Sequence, residues 1–253
     1  MVLAADIGNS NIVLGCFEGE KFSFTERIAT NHNNTATDYM VILKYILEMN
    51  QVNVKELEGC IICSVVPSVT NALRDAMKSL TGKDAKIVGP GIRTGLVIGI
   101  DNPAQLGSDR VADAVGATHY YPCPLITIDM GTATTISVID GSKVFRGGMI
   151  IPGLRISLES LTSRTSQLPK ISLDPPGKVI GTNTVDCMKS GIIYSNAGSI
   201  EGIVKRIEKE LGESCTVVAT GGLARFIIPY CEREIILDED LLLKGLMILY
   251  YKN

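Results

Sequence analysis

Leu3-Ala4-Ala5-Asp6-Ile7-Gly8-Asn9-Ser10-Asn11-Ile12-Val13 opens the chain, and Ile126-Thr127-Ile128-Asp129-Met130-Gly131-Thr132-Ala133-Thr134-Thr135-Ile136 repeats its design near the middle. Each stretch is an apolar run, then Asp-x-Gly, then small polar residues, then a second apolar run. A glycine turn and an aromatic residue follow in both, as Glu18-Gly19-Glu20-Lys21-Phe22 and as Asp140-Gly141-Ser142-Lys143-Val144-Phe145. Apolar strand, polar turn, apolar strand and glycine turn make up a β-hairpin pattern. The copies lie too far apart for a solenoid, whose period is roughly 20–50 residues. They predict two domains of one ancestral design, 1–118 and 119–253. The boundary falls where Tyr121-Pro122-Cys123-Pro124 breaks a helix.

Working outward, the rest alternates helix and strand. Tyr39, Ile42, Leu43, Ile46 and Leu47 recur at helical spacing, with Thr35 or Thr37 as the cap. Ile61-Ile62-Cys63-Ser64-Val65-Val66 reads as a short buried strand. Ser68 is placed to cap a helix carrying Val69, Leu73, Met77 and Leu80. In the second half Val217-Val218-Ala219-Thr220-Gly221-Gly222 is the matching strand and glycine turn. A long helix, about 183–211, precedes it, and a last helix follows Asp238. Gly147-Gly148-Met149-Ile150-Ile151-Pro152-Gly153 reads as a glycine turn, an apolar stretch and a helix entrance. The Pro-rich piece 168–177 reads as a loop.

Composition narrows the function. With 253 residues and 45% hydrophobic content, the chain has ample material for a core. A net charge of −3 gives no electrostatic case for nucleic acid or an anionic membrane. Two isolated histidines, His32 and His119, argue against a zinc site. Seven scattered cysteines fit reduced thiols. The opening residues lack a basic n-region, and no apolar run approaches the roughly 20 residues of a membrane span. A cytoplasmic location is the expectation. Cys60-x-x-Cys63 lies on a strand, where residues three apart face opposite sides, so it suits neither a disulfide nor a shared metal.

The candidate chemistry starts at Asp6 and Gly8. An Asp at a strand end before a glycine turn leaves room for a phosphate, and a carboxylate there can hold a hydrated divalent cation. Asn9, Ser10 and Asn11 add donors. The alternative is a turn that Asp and Gly merely shape; recurrence of Asp-x-Gly favours the phosphate reading. Thr132, Thr134 and Thr135 are hydroxyl donors in the second copy, although threonine also simply suits strands. Asn102-Pro103-Ala104-Gln105-Leu106-Gly107-Ser108-Asp109-Arg110 leads into a helix. Asp109 is favourable at the positive helix end, which explains it without function. Arg110 is not, and it points to a bound carboxylate or phosphate, with Asp109 a candidate general base. Thr220-Gly221-Gly222 is either a base or ribose seat or a plain strand-to-helix turn. There is no G-x-x-x-x-G-K-[ST] loop and no G-x-G-x-x-G after a strand.

The ordered set Asp6-Ile7-Gly8-Asn9-Ser10-Asn11, Gly107-Ser108-Asp109-Arg110, Asp129-Met130-Gly131-Thr132-Ala133-Thr134-Thr135, Gly147-Gly148-x-Ile150-x-Pro152-Gly153, Gly181-Thr182-Asn183-Thr184 and Thr220-Gly221-Gly222-Leu223-Ala224 resembles the type III pantothenate kinases. These belong to the acetate and sugar kinase/Hsp70/actin superfamily. The resemblance covers essentially the whole chain. It implies an α/β fold of two tandem actin-like (ribonuclease H-like) domains, each a mixed central sheet flanked by helices. It also implies ATP-dependent phosphorylation of pantothenate, the first committed step toward coenzyme A. By resemblance, Asp109 is the general base, and Gly107, Ser108, Asp109 and Arg110 contact pantothenate. Asp6, Ile7, Gly8, Asn9, Ser10, Asn11, Ile12, Val13 and Thr132 hold ATP. Asp129 binds the monovalent cation (K+ or NH4+), with Mg2+ accompanying ATP. Thr184 reaches pantothenate across a homodimer interface. The departures are Ser10 for Thr, Gln105 for Glu, and Ile100-Asp101 where an aromatic commonly precedes Asn-Pro. Two other readings remain at this level: a non-catalytic homologue serving as a binding or regulatory protein, and an actin-like kinase for another small hydroxylated substrate.

Overall fold

A computed structural model describes residues 1–253. In chain order the strands and helices begin with β1 (Val2–Ile7), β2 (Asn11–Glu18), β3 (Lys21–Ala29), α1 (Ala36–Met49), β4 (Gly59–Ser64), α2 (Pro67–Thr81), β5 (Ala85–Ile87), β6 (Val97–Ile98) and α3 (Ser108–Tyr120). They continue with β7 (Leu125–Met130), β8 (Ala133–Ile139), β9 (Val144–Pro152), α4 (Leu154–Arg164), α5 (Thr184–Leu211), β10 (Thr216–Thr220), β11 (Ile236–Leu237) and α6 (Leu241–Lys252).

The first sheet has the order β3-β2-β1-β4-β5. Strands β1, β2 and β3 form an antiparallel meander, and β4 and β5 are parallel to β1. Side chains alternate along a strand. Leu3, Ala5, Ile7, Ile12, Leu14, Cys16, Cys60 and Ile62 therefore share one face, which packs on Tyr39, Leu43 and Leu47 of α1 and Leu73, Ala76 and Met77 of α2. Cys60 is on that face and Cys63 on the other, as strand geometry requires. Thr35 caps α1 in a capping box with Asp38. At α2 the expected cap is displaced: Pro67 occupies the first turn and Ser68 lies inside the helix, because proline's fixed φ suits that position and its missing N–H costs nothing there.

Val2, Ala4, Phe17 and Ile61 are fully buried on the opposite face of the sheet. Helix α6 lies there: Tyr250 and Tyr251 meet Phe17 edge-on at 6.4 and 5.9 Å. Helices α3 and α6 cross so closely that a Cβ at Gly245 would collide with the Ala112 carbonyl. The final helix thus completes the core of the first sheet. One compact unit is residues 1–95, 102–119 and 240–253, and the other is residues 96–101 and 120–239. Both are discontinuous, unlike the contiguous halves 1–118 and 119–253 read from the repeat. The physical reason is that both faces of a buried mixed sheet need apolar cover, and α6 supplies it to the first sheet.

The second sheet, β11-β10-β7-β8-β9-β6, repeats the first order with β6 added beside β9. Ile126, Ile128, Met130, Ile136, Val138, Val217 and Ala219 pack on Leu154 and Leu158 of α4 and on Ile193, Ala197, Ile200 and Val204 of α5. Each sheet is mixed and flanked by helices, the actin-like arrangement. Asp6 and Asp129 are the penultimate residues of β1 and β7, opposite Cys63 and Thr220 on the next parallel strand. One expectation needs correction. Gly147 and Gly148 form no turn; they lie within β9, where Gly147 takes φ +121° next to a register shift against β8.

Candidate active site

In the first unit the chain turns at residues 8–10 between β1 and β2. The Gly8 N–H donates to the Asn11 carbonyl at 3.0 Å. It closes the turn and is not free for a phosphate, contrary to the simplest reading of a glycine loop. Thr30, directly after β3, staples the turn from the other side. Its N–H donates to the Ser10 carbonyl (3.0 Å) and its Oγ1 to the Gly8 carbonyl (2.6 Å). Sequence reasoning missed Thr30, because only the β2–β3 register brings it opposite the turn. Asn9, Ser10 and Asn11 are exposed and offer side-chain donors. Ile7 and Ile12 are buried in the core, so they can offer a nucleotide only backbone groups; Val13 is half-buried.

Helix α3 starts beside the end of β4. Ser108 Oγ donates to the Ser64 carbonyl at 2.9 Å and accepts from the Cys63 thiol at 3.4 Å. A Cβ at Gly107 would collide with Asp109 Oδ1, so the glycine makes room for that carboxylate. The same oxygen accepts the Arg110 N–H at 2.8 Å. Burial lowers the affinity of the Arg110 guanidinium for its proton, while Asp109 and Asp113 pull the other way. The guanidinium nonetheless stays charged at neutral pH. Asp6, Asp109 and Asp113 all act on Cys63, whose thiol is pushed well above its usual range by burial first and by these carboxylates next. The first unit therefore brings Asp6, Ser108 and Asp109 to act on one fully buried thiol, with Arg110 coupled to Asp109 and Asp113. A half-buried carboxylate beside a fixed cation can hold an acidic, hydroxylated substrate and accept its proton.

In the second unit Asp129 is half-buried at the end of β7. Gly221 follows β10 with φ +87°, and a Cβ on it would collide with Asp129 Oδ1 and lie 2.7 Å from the Met130 nitrogen. The bare glycine lets the turn after β10 pack directly against the carboxylate and the Met130 backbone. Gly131 N–H closes its turn on the Ala133 carbonyl at 3.1 Å, as Gly8 does in the first copy, and leaves Thr132 exposed at the tip. Thr135 is half-buried, and Thr134 is buried with its Oγ1 unpaired. After Gly221, short 3-10 turns at Ala224–Phe226 and Ile228–Tyr230 replace the helix expected of a plain strand-to-helix turn.

Thr184 stands apart from these turns. It heads α5 behind the cap Asn183, whose side chain accepts the Asp186 N–H at 2.9 Å. It lines a cavity of about 360 Å³ with Leu161, Leu168, Cys187, Met188 and Ile192, none of which belongs to the Asp129 or Gly221 turns. No three His, Cys, Asp or Glu side chains converge as a metal cluster. Asp129 offers hard oxygen at a strand end, which suits an oxygen-preferring cation that keeps much of its water.

The model of the type III pantothenate kinase family matches residues 2–206. A type III pantothenate kinase of Brevibacillus brevis is 42% identical over 253 residues, covering all of this chain and 99% of that protein. One from Exiguobacterium is 41% identical with the same coverage. Among solved structures, a Campylobacter jejuni protein described as a Baf family transcriptional activator superposes with a TM-score of 0.62 at 19% identity, covering 99% of this chain and 98% of that one. At that identity the likeness speaks for the shared fold alone.

Proposed function

The chain belongs to the type III pantothenate kinase family, and from that premise we propose how its residues divide the reaction. It is an enzyme that uses ATP to phosphorylate pantothenate, the first step of coenzyme A biosynthesis. In our reading Asp109 is the general base. It takes the proton of the pantothenate hydroxyl as that oxygen attacks the γ-phosphorus in line with the leaving ADP oxygen. Arg110, together with the backbone of Gly107 and Ser108, holds the substrate, the guanidinium pairing with its carboxylate. The observation that carries this reading is the Asp109 carboxylate itself. It is half-buried in the first turn of α3, seated against a bare Gly107, with one oxygen held by the Arg110 N–H.

The turn from Asp6 to Val13 and the exposed Thr132 receive the ATP phosphates. With Gly8 N–H committed, the Asn9, Ser10 and Asn11 side chains carry that contact. Mg2+ held with ATP near Asp6 would offset phosphate charge, and K+ or NH4+ at Asp129 would add a fixed positive charge. Thr184 reaches pantothenate in a homodimer. The support is the apolar surface around the start of α5, where Leu161, Val179, Ile180 and Val185 are exposed. Seven unpaired cysteines support a cytoplasmic setting.

The test is Asp109→Asn, assayed by pantothenate-dependent ADP release. Loss of a general base removes about 10²–10⁴ of turnover, and the variant should keep its melting temperature. Near-normal turnover would remove Asp109 from this role.

A further inference from the structure

Cys63 has no part in the chemistry above, yet it lies at its centre. It is fully buried on β4, faces Asp6 across the strand pair, and interacts with Asp109 and Asp113. Its thiol donates to Ser108 Oγ (3.4 Å), and Ser108 Oγ donates to the Ser64 carbonyl (2.9 Å). Ser64 is itself held, since its Oγ accepts from the Val66 N–H (3.0 Å) and shares a hydrogen bond with Thr70 Oγ1 (2.6 Å) at the start of α2. A hydroxyl has one proton to give. With that proton on Ser64 and its lone pair facing Cys63, the Ser108 hydroxyl is bonded inward and has no hydrogen left for a substrate.

We propose that Cys63 and Ser108 are positioning residues for Asp109, a thiol–hydroxyl–carbonyl chain that locks the first turn of α3 onto the end of β4. This rests on Asp109 being the general base. The chain fastens the residue next to the reactive carboxylate: Ser108 is its direct neighbour, and Gly107, one residue further back, leaves the space it fills. A neutral donor is required at position 63, because an ionised group there would add a further negative charge beside three carboxylates. A thiol meets that need, and a serine hydroxyl would too. An alanine would leave Ser108 Oγ with one bond in place of two and free the helix start to shift. Misplacement of a reacting group by about 1 Å can cost up to 10²-fold in rate.

The experiment is steady-state kinetics on Cys63→Ala, Cys63→Ser, Ser108→Ala and the double variant Ser108→Ala/Asp109→Asn, with thermal melts of each. Cys63→Ala and Ser108→Ala are expected to lower kcat about 10-fold while KM for pantothenate stays within about 2-fold, the split left by an interaction used in the transition state. Cys63→Ser should keep at least about half of the original kcat, since it restores the donor. In the Asp109→Asn background, Ser108→Ala should cause no further loss, because residues acting as one unit are not additive. A raised KM for pantothenate with kcat unchanged in Ser108→Ala would make the Ser108 hydroxyl a substrate contact and overturn the proposal, as would a Cys63→Ser variant no better than Cys63→Ala. If Cys63→Ala fails to fold, Ser108→Ala and the double variant decide. An inactive Asp109→Asn together with fully active Cys63→Ala and Ser108→Ala would refute the positioning chain alone. An active Asp109→Asn would refute the base assignment beneath it.

Discussion

Gly221 shows how much a single position can decide. Its φ of +87° is costly for any residue with a Cβ, and that Cβ would meet Asp129 Oδ1 and the Met130 backbone. Left-handed backbone alone costs an L-residue about 1–2 kcal/mol. Gly221→Ala should therefore lower stability by at least about 2 kcal/mol once the collision is added. It should also blunt activation by K+, because the displaced carboxylate is the proposed cation ligand. Thermal melts and a potassium titration of turnover check both effects; a melting temperature equal to that of the parent would refute the packing argument. At this scale the Asp-x-Gly turns were legible from recurrence alone. The commitment of Gly8 and Gly131 N–H groups to their own turns was not, nor were Thr30 and Cys63. Those contacts join strands distant in sequence, and spacing carries no trace of them.

Elements are held by a different currency. Glu208, in the last turn of α5, takes a bidentate contact from Arg233 (2.8 and 2.6 Å) and accepts the Cys215 N–H at 2.8 Å just before β10. Arg233 also donates to the Cys215 carbonyl at 3.1 Å. The Arg233 hydrogen bonds, reinforced by the Cys215 N–H, hold the Glu208 carboxyl below its ordinary range against the effect of burial. A carboxyl whose folded value lies below its unfolded value contributes stability above the unfolded value, about 4.3. It loses that contribution as pH falls through the folded value. Arg233→Ala should destabilise the protein by about 2 kcal/mol at neutral pH and make the acid limb of its stability curve shallower below pH about 4.3. Denaturant melts from pH 7 to 3 measure this; parallel curves for parent and variant would exclude the bridge as the acid-sensitive contact. The helix ends themselves were largely readable. Thr35, one of the two threonines offered, caps α1, and α5 spans the stretch 183–211 read as a long helix, with Asn183 as its cap. The end of α2 was misjudged because proline at the first turn makes a side-chain cap dispensable.

For the whole molecule, assembly is the open prediction. In the dimer reading Ile180→Glu places a charge in the apolar surface beside Thr184 and should convert the protein from two chains to one in sedimentation equilibrium, raising KM for pantothenate with it. A parent protein that sediments as a single chain at assay concentration would end that reading. The sequence by itself determined the fold class and its duplication, because the Asp-x-Gly hairpins and the helical periodicities are local patterns that the backbone must obey wherever the chain goes. It also marked Asp6, Asp109, Arg110 and Asp129, since turn and helix-end chemistry is written in neighbouring residues. Only the tertiary structure decided that α6 returns to cover the first sheet and that the compact units are discontinuous. Only the tertiary structure, too, put a buried thiol among Asp6, Asp109 and Asp113. Those outcomes depend on which apolar face is left uncovered and which strands lie side by side, quantities that belong to the packed chain and to no stretch of it.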